Sequence, residues 1–214
     1  MSSHDAIERL IAGYRRFRNG YYKENEQRLT DLAEGQSPKV AVVGCCDSRV
    51  DPALITDSEP GDLFVIRNVA NLVPPCEGEG MWHGTSAALE FAVTGLKVEH
   101  IVVLGHARCG GIRALVERDD TQEKSFISDW MSIADEARRK ALARTDLTTI
   151  EEKAHACELN AIETSLANLR TFPWVKARLE AGRLQLHGWY YDMVSGDLLA
   201  LDAEAGRFVS LWQG

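Results

Sequence analysis

An α/β fold with a mostly parallel central sheet flanked by helices is the architecture this chain predicts. Three observations carry that prediction. Val40-Ala41-Val42-Val43-Gly44, Leu63-Phe64-Val65-Ile66 and His100-Ile101-Val102-Val103-Leu104-Gly105 are short aliphatic runs, as in strands buried on both faces. Helically patterned segments separate them, the alternation that produces parallel strands joined by crossovers. The 214 residues, 45% hydrophobic and 26% charged, are enough for one substantial core.

Taken in order, Ile7, Leu10, Ile11, Tyr14 and Phe17 recur at helical spacing and stop near Asn19-Gly20, so the chain opens on an amphipathic helix. Such a helix covers its own domain or lies on another subunit. Residues 21–38 read as polar and partly helical, closing on Gly35-Gln36-Ser37-Pro38. After the first strand, Asp51-Pro52 begins a short helical stretch. Glu59-Pro60-Gly61-Asp62 then turns into the second strand, which leaves Arg67-Asn68 at its end. Trp82 to Leu96 predicts a helix packing on Ala87, Ala88, Phe91 and Ala92. Gly110 and Gly111 suit a tight turn from the third strand into a helix over about Ile112 to Arg118. Helical patterning then dominates 119–170 and 174–179. Leu184 to Tyr191 alternates as a fourth strand. A terminal hairpin turning at Ser195-Gly196-Asp197 offers Leu198–Leu201 and Arg207–Leu211 as strands. One domain, 1–214, with 1–35 as an N-terminal helical arm, accounts for the whole chain.

A net charge of −8 opposes non-specific nucleic-acid binding and adhesion to anionic membranes. The first residues lack a basic n-region, and no apolar run is long enough to span a bilayer. Five cysteines without a secretory signal read as reduced thiols in a cytoplasmic protein.

Two of the strands end in chemistry. Gly44-Cys45-Cys46-Asp47-Ser48-Arg49-Val50 follows the first, and Gly105-His106-Ala107-Arg108-Cys109-Gly110-Gly111 closes the third. Thiolates and an imidazole are transition-metal ligands, and zinc is the first metal to consider. His106 and Cys109 can chelate from one turn, and Cys45 can add a thiolate from a neighbouring strand end. Asp47 is placed to close a fourth position or to orient what occupies it, with Arg49 as its ion-pair partner. Each motif alone is weak. In such sheets, however, ligands bind beyond the carboxyl ends of the strands, and there both motifs meet if strand one lies between strands two and three.

Together with Glu59-Pro60-Gly61-Asp62-Leu63-Phe64 and Arg67-Asn68-Val69-Ala70-Asn71, these motifs resemble the β-class carbonic anhydrases. The likeness runs from about Gln36 to Arg113. It resumes at Cys157-Glu158-Leu159-Asn160, Arg170-Thr171-Phe172-Pro173-Trp174-Val175 and His187-Gly188-Trp189. The resemblance implies zinc, one ion per chain, on Cys45, His106 and Cys109, with Asp47 and Arg49 as a catalytic dyad. It implies a substrate pocket using Gln36, Phe64, Phe91 and the Gly110 amide; Phe91 stands where plant-type members carry a tyrosine. It further implies strand order 2-1-3-4 with an added edge strand, and a homodimer or homotetramer with the pocket at a dimer interface. The implied reaction is reversible hydration of carbon dioxide to bicarbonate and a proton by zinc-bound hydroxide, with activity rising toward alkaline pH. An allosteric subtype of the family carries a tryptophan where this chain has Val42, although Arg67 and Tyr191 match its other two bicarbonate-holding residues. The non-allosteric, plant-like type is therefore expected.

Cys46 is read as a buried free thiol on the opposite face of its strand end, and Cys157 as core. His83, His100, His155 and His187 read as structural or surface histidines. Competing readings are a carbon disulfide or carbonyl sulfide hydrolase on the same zinc site, a structural zinc, and a thiol-based redox protein. The adjacent Cys45-Cys46 pair, lacking Cys-x-x-Cys spacing, weakens the last.

Overall fold

The computed structural model describes residues 3–76, 83–119 and 124–212. They fall into two compact units, Met1–Ser37 and Pro38–Gly214. The first unit holds α1 (Ser3–Asn19), α2 (Tyr21–Glu24) and α3 (Glu26–Ala33). Asp5 in the first turn of α1, and Arg16 and Arg18 in its last, complement the helix dipole. The expected apolar stripe is present, and all five of its residues are exposed, Leu10 by 70%.

The second unit contains β1 (Val40–Cys45), α4 (Pro52–Ile55), β2 (Leu63–Asn68), α5 (Gly84–Glu90), β3 (His100–His106) and α6 (Gly110–Glu117). It continues through α7 (Phe126–Met131), α8 (Asp135–Leu142), α9 (Ile150–Leu169) and α10 (Pro173–Glu180). β4 (Gln185–Tyr191), β5 (Leu198–Asp202) and β6 (Arg207–Ser210) complete it. The sheet order is β2-β1-β3-β4-β5-β6. The first four strands are parallel, and β5 and β6 add on antiparallel. Both strands of the terminal hairpin thus join the sheet beyond β4. β1 lies between β2 and β3, so the β1–β2 and β2–β3 connections run in opposite directions, the arrangement in which ligands bind at the carboxyl ends of the strands.

The longest helix lies over the centre of this sheet. Thr149 and Glu152 form a capping box that starts α9, satisfying two amides that have no partner within the helix. Ile162, Leu166 and Leu169 of α9 join the core with Val43, Ile101, Val103 and Tyr190. Two strand glycines make the close approach possible. A Cβ on Gly105 would sit 2.7 Å from Ile162 Cδ1, and one on Gly188 would sit 2.8 Å from Ile162 Cγ2.

Three local expectations change. Arg67 and Asn68 are part of β2, paired with Gly44 and Cys45, and do not lie past its end. The helix expected over 82–96 is α5 followed by a π turn at Phe91–Gly95, with Trp82 outside the described residues. Its packing face is Leu89, Ala92 and Val93, while Ala87 and Phe91 are exposed. Leu89 and Val93 bury more apolar surface than Ala87, so they take the inward positions. Cys46 is exposed, although its backbone N–H still bonds to Asn68 O at 2.8 Å one step past the end of β1.

Candidate metal centre

β1 ends at Cys45 and β3 at His106, and the two strands are hydrogen-bonded neighbours. After His106 the chain reverses. Arg108 takes φ 56°, an uncommon left-handed conformation for this residue type, and Cys109 becomes the N-cap of α6. Donor atoms of Cys45, His106 and Cys109 consequently lie within 4.8 Å of one another. All three residues are buried, at 6%, 1% and 2% exposure.

The electrostatics suit a soft cation. His106 Nδ1 donates to Ala107 O at 3.0 Å, which leaves Nε2 as the bare lone pair. That Nε2 is buried and has no hydrogen-bond partner among the described residues. Hydrogen bonding with Cys109 holds the Cys45 thiol well below its usual range despite burial. The Asp47 N–H, 3.4 Å from Cys45 Sγ, acts in the same direction. The same contact and burial push Cys109 up, so the two thiols share their titration. Two sulfurs and one orphaned imidazole nitrogen match the donor set of a zinc site with one position left for another ligand.

Asp47 stands beside this group and outside it. Arg49 donates to it three times: Nε to Oδ1 at 2.9 Å, Nη2 to Oδ2 at 2.6 Å, and its own N–H to Oδ1 at 2.9 Å. The guanidinium holds the Asp47 carboxyl well below the usual carboxylate range. Asp47 Oδ2 lies 4.0 Å from His106 Nε2.

The same pattern appears in known proteins. A carbonic anhydrase family model matches residues 40–198. The chain belongs to the β-carbonic anhydrase family. A carbonic anhydrase of Synechocystis sp. is 38% identical over 205 residues, spanning 95% of this chain and 74% of that protein. One of Synechococcus elongatus is 37% identical over 196 residues, 91% of this chain and 71% of that protein. The structure of the β-carbonic anhydrase CcaA is similar with a TM-score of 0.91 and 38% identity, over 98% of this chain and 93% of that one. A tetrameric β-carbonic anhydrase of the filamentous ascomycete Sordaria macrospora follows, with a TM-score of 0.83 and 28% identity over 93% and 98%.

Within this β-carbonic anhydrase, the expected pocket residues divide. Gly110 is the first residue of α6, and a Cβ there would meet nothing within 4 Å. Phe64 and Phe91 contact each other, ring centroids 5.9 Å apart. Yet Phe64 pairs with Ala41, while Asn68 is the residue level with Cys45. Four strand residues, about 13 Å, therefore separate Phe64 from its own chain's Cys45 along the sheet. Gln36 is exposed and belongs to the first unit. Cys46 does not join the three-donor group. His100 and His187 pair near the opposite end of the strands, ring nitrogens 3.1 Å apart.

Two residues carry more than the sequence reading gave them. Arg67 donates to Cys45 O at 2.9 Å, Asp47 O at 2.8 Å and Val50 O at 2.7 Å, and pairs with Asp51 at 3.3 Å. It thereby holds the loop that presents Asp47 and Arg49. Glu158 accepts the Cys109 N–H at 2.9 Å. Its signal was a carboxyl side chain set into the otherwise apolar stripe Ala154, Cys157, Ala161, Ile162.

Proposed function

We propose that this chain catalyses the reversible hydration of carbon dioxide to bicarbonate and a proton, with one zinc ion held by Cys45, His106 and Cys109. Carbon dioxide hydration is the general reaction of its family. The observation that carries the reading is the buried, unpartnered His106 Nε2 within the two-sulfur group, beside a carboxyl group that Arg49 keeps apart from it. Zinc bound there supplies a Lewis acid that makes a water molecule acidic enough to attack carbon dioxide near neutral pH.

The residues do the rest. Asp47 accepts a hydrogen bond from the attacking oxygen and so aims its free lone pair at the carbon. Arg49 fixes Asp47 in the ionised, accepting state. The Gly110 N–H, at the start of α6, donates to the oxygen of the substrate that gains negative charge. Val69, close against the Gly111 backbone, gives the apolar wall an uncharged substrate needs. The donor set of two thiolates offsets the cation's charge, so activity is expected to rise toward alkaline pH.

Phe64 and Phe91 then serve the pocket of a second copy. Their separation from Cys45 along the sheet, and the exposure of Phe91, support a homo-oligomer with its site between chains. Gln36 enters as the polar substrate contact that the family likeness implies. The commitment of Arg67 to the Cys45–Asp51 loop supports the non-allosteric type, as does Val42 in place of tryptophan. Among the described residues no helix is long and apolar enough to cross a membrane. The cytoplasm is the compartment that suits five free thiols.

Stopped-flow carbon dioxide hydration on zinc-quantified protein across pH tests the proposal. Hydration proportional to zinc content, lost on chelation and restored by zinc, is expected. Protein holding about one zinc per chain but inert at every pH would refute it.

A further inference from the structure

Glu158 has no part in the chemistry above, yet it is only 4% exposed. A buried carboxyl group is tolerated when both oxygens are satisfied, and here both are. Oε1 accepts the Cys109 N–H at 2.9 Å, and Oε2 accepts the Tyr190 hydroxyl at 2.8 Å. Tyr190 is 1% exposed, and its oxygen lies 2.9 Å from Nδ1 of His155. One carboxyl group thus joins the start of α6 to α9 and β4.

The need for this joint follows from how the three donors are held. Cys45 and His106 are strand residues, fixed by the sheet ladder. Cys109 lies past a left-handed turn, is followed by Gly110-Gly111, and its own side chain makes no cap hydrogen bond to α6. In a capping box, the residue three beyond the N-cap returns a carboxyl oxygen to the N-cap N–H. That residue is Ile112, which has none to offer. Glu158 supplies the missing acceptor from α9, and Tyr190 prevents it from swinging away.

We propose that Glu158, clamped by Tyr190, is a positioning residue that sets the Cys109 sulfur against the two donors carried by the sheet. The proposal rests on Cys45, His106 and Cys109 being the metal ligands. It concerns metal retention and ligand geometry, read on variants that fold.

The test measures metal release to excess chelator, and the thiolate-to-cobalt charge-transfer spectrum of the cobalt-substituted protein. Wild type is compared with Glu158→Gln, Glu158→Leu, Tyr190→Phe and Cys109→Ala. Glu158→Leu is expected to release metal about tenfold faster or more and to alter the cobalt spectrum. Glu158→Gln keeps an oxygen for the Cys109 N–H and should stay close to wild type, with Tyr190→Phe between the two. Wild-type release and spectrum in Glu158→Leu would overturn the proposal, as would Gln and Leu variants that behave alike. If the Leu variant does not fold, Tyr190→Phe decides, and wild-type release there overturns the clamp. Cys109→Ala retaining metal as tightly as wild type would instead overturn the ligand reading itself, a result separate from any change at Glu158.

Discussion

Arg49 Nη2 lies 3.1 Å from the carbonyl oxygen of Arg108, in the turn that carries the second half of the metal centre. The same nitrogen donates to Asp47 Oδ2 at 2.6 Å. One guanidinium therefore ties the loop after Cys45 to the turn that leads to Cys109. It satisfies the carbonyl of a residue whose backbone is in an unfavourable left-handed conformation.

Arg49→Ala removes both contacts. Zinc content should persist, because no donor is lost, while turnover falls by about 10- to 100-fold. Arg49→Lys should recover little, since an ammonium cannot make the two-pronged contact with Asp47. Hydration rates measured on protein of equal zinc content check both, and full activity in Arg49→Ala would remove the Asp47–Arg49 pair from the mechanism.

Gly188 is where α9 comes closest to β4. An alanine methyl would stand 2.8 Å from Ile162 Cγ2 and 3.0 Å from Leu166 Cδ1. Gly188→Ala should cost about 1–3 kcal/mol, the usual range for overfilling a packed core. Gly84→Ala is the control, because nothing lies within 4 Å of its new methyl. Urea melts should separate the two, and equal midpoints would contradict the close packing of α9.

Cys157 contributes to the pH dependence at alkaline pH. Burial pushes its thiol from 9.0 up to about 12. The folded state thus holds this proton more tightly than the unfolded chain. Its contribution to stability is complete below pH 9 and is lost as pH rises toward 12. Melting temperatures across that window should fall less steeply for Cys157→Ala than for wild type. The variant should also be less stable at neutral pH, by about 1 kcal/mol for the atom removed. Parallel alkaline slopes in the two proteins would show that Cys157 is not responsible.

Phe91 tests the shared pocket. It is 52% exposed and packs on Phe64 at the β2 edge of the sheet. Phe91→Asp is expected to shift sedimentation toward a smaller species and to lower hydration with zinc content unchanged. A variant with wild-type mass and rate would place neither phenylalanine at a subunit contact.

The sequence alone located the strands at Val40, Leu63 and His100, because short runs of β-branched and aliphatic residues favour a sheet. That β2 is an edge strand with Val65 39% exposed was decided by the tertiary structure. The sequence likewise singled out Cys45, His106 and Cys109 as candidate ligands, from donor types at strand ends and the family resemblance. The strand order that brings them together came with the tertiary structure. Residues 87 and 91 of the predicted packing face escaped the sequence: periodicity defines a stripe, but Leu89, Ala92 and Val93 occupy the core while Phe91 packs on Phe64 at the β2 edge. Cys46 was misread as buried because alternation gives the face of a residue and not what covers that face. Only the tertiary structure decided that Phe64 stands far along the sheet from its own Cys45, a matter of register. It alone showed Arg67 gathering three carbonyls and Glu158 reaching the Cys109 amide. Such contacts join residues distant in sequence through backbone atoms, which every residue carries and no motif spells out.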